Sequence, residues 1–351
     1  MQVILHFSQD GTVRTPLRDP VNTGLAQNWS TLLEHGILLP FLDPEAAAHS
    51  LASGLTSTSL PPVTKTGHSA LLWGQCPTRQ HGLQAQLRLL SPKVLIICAP
   101  ICAELDAGLK AAQALHKILG DVNLHIHSTL DRPDHHVEHL LGHWLQERRE
   151  LTPFPQELSK LINSPHVDYR QIYTPWLNRF PEAKIHLTRQ GTQSNRTTAL
   201  TAFTSRFELP DLPPALPPQT TPPSRAIWDS LRHANRLPGA TAELHDQLTH
   251  IFTPMTFPAD TEIEVFGAKA RAHLHEAFTP VAKELEAQLE DGSFLNDLDD
   301  ILISRPVPLS NLNQQLIAQL PRFRLGRKTA GLRAVRRALT RAEREKQSDK
   351  A

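Results

Sequence analysis

Short apolar runs that alternate with helix-length segments leave a chain few folds to choose from, and residues 91–190 carry that alternation throughout. Val94, Leu95, Ile96, Ile97 and Cys98 form a compact run closed by Ala99 and Pro100. Residues 103–119 have helical spacing, and a second apolar run passes through Val122, Leu124 and Ile126. A loop over 128–134 feeds a helix with Val137, Leu140, Leu141, Trp144 and Leu145 on one face. Asp168 and Tyr169, then Trp176 to Phe180, lead into a third run over 183–188. Strand, helix, strand, helix, strand predicts a parallel sheet joined by crossover helices. Such sheets bind ligands beyond the carboxyl ends of their strands. The loops after Cys98, Ile126 and Thr188 are therefore the predicted seat of function.

Residues 3–7 read as a buried opening strand, followed by a turn-rich loop over 8–14. Asn22 or Thr23 can cap a helix that carries Leu25, Trp29, Leu32 and Leu33 and stops at Gly36, before an extended piece over 37–40. Strand, loop and helix in that order can hold a phosphate on backbone N–H groups. Gly11 stands alone there, with no Walker lysine after it. Residues 43–68 read as a helix and a mobile loop. Seven prolines between Pro210 and Pro223 predict a polyproline-like spacer. Beyond it, Ile227, Leu231, Leu244, Leu248 and Ile251 are helical in pattern, and residues 268–289 read as one amphipathic helix.

At 351 residues, with 40% apolar and 20% charged side chains, the chain has the balance of a soluble globular protein. Its net charge of +1 is unevenly spread, because residues 322–350 hold 11 Lys/Arg against 3 Asp/Glu. The tail has Leu332, Val335 and Leu339 at helical spacing among arginines, and an acidic patch lies at Asp297 to Asp300. A basic amphipathic tail suits an anionic membrane surface; nucleic acid stands behind that reading, and docking on the protein's own body stays open. Cys76, Cys98 and Cys102 do not form a disulfide framework, and Cys98 and Cys102 read as buried small hydrophobes. No run is long enough for a membrane span and the start is too short for a signal peptide, so the expectation is a cytoplasmic protein, peripheral at most. His135, His136, His139 and His143 crowd one helix, with 135, 139 and 143 on one face. Metal binding needs a further ligand that the sequence does not place, so no metal is expected.

The order of these pieces resembles the bacterial sulfotransferase-like family, whose active members use 3′-phosphoadenosine 5′-phosphosulfate (PAPS). The flanks of the first motif are matched by residues 3–7 and by Trp29 through Glu34, His35, Gly36, Ile37, Leu38, Leu39 and Pro40. The family's strand, arginine-rich turn and Trp-bearing helix are similar to Leu124 through Trp144. Its Asp-Tyr, Trp, Phe-Gly and Ile-apolar-Val-Arg series is similar to Asp168-Tyr169, Trp176, Phe180 and Ile185 to Arg189. The resemblance covers residues 1–208 and, more weakly, 225–290.

The resemblance implies an α/β fold with a P-loop-like parallel sheet flanked by helices, a helical C-terminal part and a basic tail. On that scheme residues 1–208 are the core, 209–224 a Pro-rich linker, 225–304 a helical extension packing on the core, and 305–351 the tail. It implies PAPS as cofactor and sulfuryl transfer to a carbohydrate or lipid hydroxyl; a degenerate binding or scaffold protein is the alternative. Gly11, Thr12 and Arg14 would serve where the family has its phosphosulfate-holding lysine. Asp131 falls where the family has its 3′-phosphate arginine and His139 where it has its serine, while Arg132 and Asp134 match. Sulfuryl transfer needs cations or N–H donors for the leaving phosphate and a base for the acceptor hydroxyl. His6 and His127, near predicted strand ends, are the candidate bases.

Overall fold

A computed structural model of the protein describes residues 1–8, 20–40, 77–100, 105–189, 196–213, 223–237, 242–291, 293–320 and 330–348. Gly11, Thr12, Arg14, the stretch over 43–68, Cys76, Cys102 and the greater part of the Pro-rich spacer lie outside these residues. In chain order the first elements are β1 (Gln2–Ser8), α1 (Pro20–Gln27), α2 (Trp29–Glu34), β2 (Ile37–Leu38), α3 (Pro77–Leu90), β3 (Val94–Pro100), α4 (Leu105–Leu119) and β4 (Asn123–Leu130). Next come α5 (Pro133–Gln146), α6 (Phe154–Leu161), α7 (Arg170–Leu177), β5 (Lys184–Arg189), α8 (Arg196–Arg206), α9 (Trp228–Asn235) and α10 (Ala242–Phe252). The last are β6 (Ile263–Glu264), α11 (Ala268–Glu286), β7 (Leu289–Asp291), β8 (Val307–Pro308), α12 (Asn313–Gln319) and α13 (Ala330–Ser348).

Six strands form one sheet in the order β2-β3-β1-β4-β5-β7, every neighbouring pair parallel. The mixed α/β class expected from the alternation is the class observed. Alternate residues of each strand face opposite helix layers. On one face Ile4, Ile37 and Ile96 bury against Val21, Leu25 and Leu32 of α1 and α2 and against Leu200, Phe203 and Phe207 around α8. On the other, the Phe7 ring lies 6.0 Å from Trp176 of α7, which packs on α4. Each such large apolar side chain contributes about 1.5–3 kcal/mol when fully buried.

Local chemistry sets the ends of the elements that matter here. The first helix opens at Pro20 rather than at an Asn22 or Thr23 cap, because proline's fixed φ and missing N–H suit a first turn. It breaks at Asn28, whose side chain donates to the Gly24 carbonyl (2.8 Å). Gly36 then takes φ +75°, the left-handed conformation that glycine adopts freely, and turns the chain into β2. The loop expected from residue 128 is strand as far as Leu130. Ser128 Oγ donates to the Phe7 carbonyl (2.8 Å) and the Thr129 and Thr188 hydroxyls lie 3.3 Å apart, so these polar side chains find partners within the sheet. The helix expected over 268–289 stops at Glu286, and Leu289–Asp291 instead add an edge strand beside β5.

The described residues divide into two compact units, each assembled from three segments. The first holds Met1–His136, Ile162–Gln219 and Phe278–Asn296, and so contains the six-strand sheet. The second holds Val137–Leu161, Thr220–Ala277 and Asp297–Ala351. Its heart is a buried ion cluster. Glu138, fully buried, meets Arg225 (2.7 Å), Arg271 (3.3 Å) and Arg305 (2.7 Å). Glu264 meets Arg271 (2.8 Å) and accepts backbone N–H bonds from Phe266, Gly267 and Arg305. Burial works to raise the Glu264 pKa, but those N–H bonds and Arg271 outweigh it and hold the carboxyl below its usual range. The basic tail forms α13, and Leu332, Val335 and Leu339 settle on α9, α10 and α12 of the same unit. The acidic patch lies in a 3-10 turn where Asp299 pairs with His275 (3.1 Å). No described helix is long and apolar enough to cross a membrane.

Candidate functional site

The strand order fixes where a ligand can enter. From β1 the chain crosses to β2 on one side of the sheet, and from β4 it crosses to β5 on the other. The two strands are direct neighbours, with Phe7 in register with Ser128. Diverging connections open a crevice beyond the carboxyl ends of β1 and β4. The turn after β4, expected from the sequence to be functional, therefore stands beside the end of β1.

That turn is tightly bonded. The Asp131 carbonyl accepts from the Tyr169 hydroxyl (2.8 Å), and Asp131 Oδ1 accepts from the Arg132 backbone N–H (2.7 Å). Tyr169 is held in place by the rings of Phe278 (5.6 Å) and Phe294 (6.1 Å). Pro133 begins α5 directly after Arg132, a first-turn position that suits proline. The Arg132 guanidinium grips Asp134 with two bonds, Nε to Oδ1 (2.7 Å) and Nη2 to Oδ2 (3.1 Å). Both side chains are buried. Nη2 also lies 3.1 Å from His135 Nε2. His135 Nδ1 in turn lies 3.6 Å from Asp131 Oδ1. The Asp131 carboxylate is the main reason the His135 pKa is raised, and Asp134 adds to it against burial and Arg132. His135 thus sits between the Asp131 and Asp134 carboxylates, with its Nε2 turned to the Arg132 guanidinium. Arg189 ends β5 beside Leu130, where its Nη1 donates to the Ser293 carbonyl and its guanidinium lies 5.3 Å from the Phe294 ring.

The candidate bases lie elsewhere. His6 and His127 are in register on β1 and β4, and both are buried. Their Nδ1 atoms lie 2.9 Å apart, so one ring donates and the other accepts. Phe203 and Phe207 of the α8 region cover them edge-on: the His127 ring is 5.0 Å from Phe203 and 5.8 Å from Phe207. Burial, with His6 and Arg206 nearby, pushes the His127 pKa well down. A second pair, His125 Nδ1 and His186 Nε2, lies 2.9 Å apart on β4 and β5, with Phe207 against both rings. His125 Nε2 is buried without a hydrogen-bond partner. A third pair, His136 and His166, lies 3.1 Å apart under Tyr169. The first two pairs lie on the strands of the sheet, and the third joins α5 to the turn before α7.

The structure thus brings Arg132 and Asp134 together in the turn after β4, while His6 and His127 pair with each other on β1 and β4. His139 is exposed one turn along α5, in the second unit. Gly11, Thr12 and Arg14 lie outside the described residues. His135, His139 and His143 follow one another on α5, the first half-buried, the second exposed and the third buried. Among the described residues no group of three or more His, Cys, Asp and Glu is placed to hold a metal ion. The residues that sequence reasoning missed are His125, His186 and His166; His135 and Tyr169 were named from the sequence, but not as partners of the turn after β4. Alternation in His125-Ile126-His127 was a readable sign of one strand face carrying two imidazoles, but their partners depend on register. Comparison with protein-family models, with curated proteins and with solved structures found no match.

Proposed function

We propose that the chain is a sulfotransferase-like α/β protein that takes a nucleotide-type phosphate ester in the crevice between β1 and β4. The observation that carries this reading is the strand order β2-β3-β1-β4-β5, which sets the end of β1 beside the turn bearing Asp131 and Arg132. A P-loop-like sheet of this kind seats its phosphates at that crest, next to the helix that follows the first strand. In the family's chemistry the donor is PAPS and the acceptor a carbohydrate or lipid hydroxyl. Arg132 supplies a cation in the turn beside the crevice, with His135 Nε2 3.1 Å from its Nη2. His6 and His127 support the base role less well, because each is already the other's hydrogen-bond partner inside the core.

A second reading is favoured by one specific contact. The Arg132 fork is closed on Asp134, and Asp131 stands where the family has an arginine. An anionic ligand would meet the Asp131 and Asp134 carboxylates beside the Arg132 guanidinium, a balance that fits a binding or scaffold protein without transferase activity. Calorimetry with 3′,5′-adenosine bisphosphate separates the two. Micromolar binding that Arg132→Ala weakens supports the nucleotide site; absence of heat at millimolar ligand leaves the binding or scaffold reading.

A further inference from the structure

A basic amphipathic helix has two ways of meeting an anionic surface. It can sink its apolar stripe into lipid while its cations hold the headgroups. Alternatively it keeps that stripe in protein and presents charge alone. Helix α13 is built the second way. Leu332, Val335 and Leu339 are buried on α9, α10 and α12. Two cations fix the helix in that orientation. Arg336 Nη1 donates to the carbonyls of Ile317 (2.8 Å) and Leu320 (2.6 Å), at the end of α12 where unpaired carbonyls attract a cation. Lys346 donates to Ser310 Oγ (2.9 Å) and Asn311 Oδ1 (2.8 Å).

What faces outward is mainly cationic, with one exposed carboxylate, Glu345, one turn after Arg341. Arg337, Arg341 and Arg344 are exposed and follow one another at helical spacing, and Arg333 stands half-buried one turn earlier. The three exposed arginines make no ion pair among the described residues. At about 1.5 Å per residue the stripe from Arg333 to Arg344 runs about 16 Å. A duplex offers one negative charge per about 1.7 Å of its axis, so that length spans several phosphates. The whole chain carries a net charge of only +1, so this field is local to the helix. The adjoining sequence adds Arg322, Arg324, Arg327 and Lys328.

We propose that the arginine face of α13 docks on the phosphate backbone of a nucleic acid, without reading base sequence. A bilayer is the poorer fit, because the three aliphatic side chains that would supply insertion energy are already buried in the protein. Contact by charge alone depends on counterion release and therefore weakens steeply with salt.

The test uses the full chain and three probes: a labelled 20-base-pair DNA duplex, a 20-nucleotide RNA, and phosphatidylcholine vesicles containing phosphatidylserine. Fluorescence anisotropy is read at 50 and 200 mM salt and vesicle capture by flotation. The account expects a nucleic acid bound at the lower salt, with affinity falling about 40-fold at the higher if three phosphates are neutralised. Reversing the stripe with R337E, R341E and R344E together, which leaves Arg336 and Lys346 in place, should abolish that binding while circular dichroism stays unchanged. No nucleic-acid binding at 50 mM salt overturns the proposal. So does binding that survives the reversal, or vesicle capture as strong as either nucleic-acid interaction.

Discussion

His6 and His127 face each other across β1 and β4 with their Nδ1 atoms 2.9 Å apart, inside a layer sealed by Phe203 and Phe207. Burial lowers the pKa of His127, and it likewise lowers those of His125, His245 and His233, the last to about 4. In the unfolded chain these groups return to about 6.5. The unfolded state then binds more protons, so their stabilising effect is complete above about pH 6.5 and is lost as pH falls below it. Urea unfolding followed from pH 7.5 to 5 should show stability dropping, by up to about 1.4 kcal/mol per pH unit for each histidine kept neutral. His135 has the opposite sign, since its raised pKa helps below about 6.5, and one such group only partly offsets the four. Replacing His6 and His127 together by leucine should flatten the acid slope; an unchanged slope would refute the assignment.

Glu138 is predicted to be the costliest single charge to remove. Its three arginine partners lose their common anion, and a buried ion pair broken on one side typically costs about 3–5 kcal/mol. Glu138→Ala should lower the urea midpoint by a matching amount, whereas Glu345→Ala, at an exposed position, should move it little. Equal effects from the two would show that the cluster does not hold the second unit together.

Asp134 sets the electrostatics of the crevice. Asp134→Asn keeps a hydrogen-bond acceptor for Arg132 and removes one negative charge from the turn. If a phosphate ester binds there, the substitution should tighten 3′,5′-adenosine bisphosphate by about tenfold, the equivalent of about 1.4 kcal/mol. Calorimetry on the two proteins measures this directly. Weaker binding in the variant would mean that the Arg132–Asp134 pair positions the ligand rather than repelling it.

The parts of the fold legible in the sequence were those fixed by periodicity. Residues 94–98, the helix stripe of Val137, Leu141 and Leu145, and the run over 183–188 fell where alternation placed them. Where propensity and tertiary pairing disagreed, pairing won. Ser128 and Thr129 read as a loop from their side chains, yet the Phe7 carbonyl and the Thr188 hydroxyl give them partners in the sheet. Leu289 continued a helical pattern in sequence but pairs with Leu187 as an edge strand. The site was legible only in part. Arg132 and Asp134 could be picked out by position, but their closure on each other depends on rotamers. The His6–His127 pair joins residues 121 positions apart and could not be read without strand register.

Amide hydrogen exchange with and without saturating 3′,5′-adenosine bisphosphate tests the central claim most directly, because it locates the ligand on the sheet. The account predicts slowed exchange at the end of β1, at Ser8, and through the turn from residue 131 to 135, with no change at the opposite strand ends, Gln2 and Asn123. Protection confined to Gln2 and Asn123, or to the second unit, or none at all at saturating ligand, would contradict it.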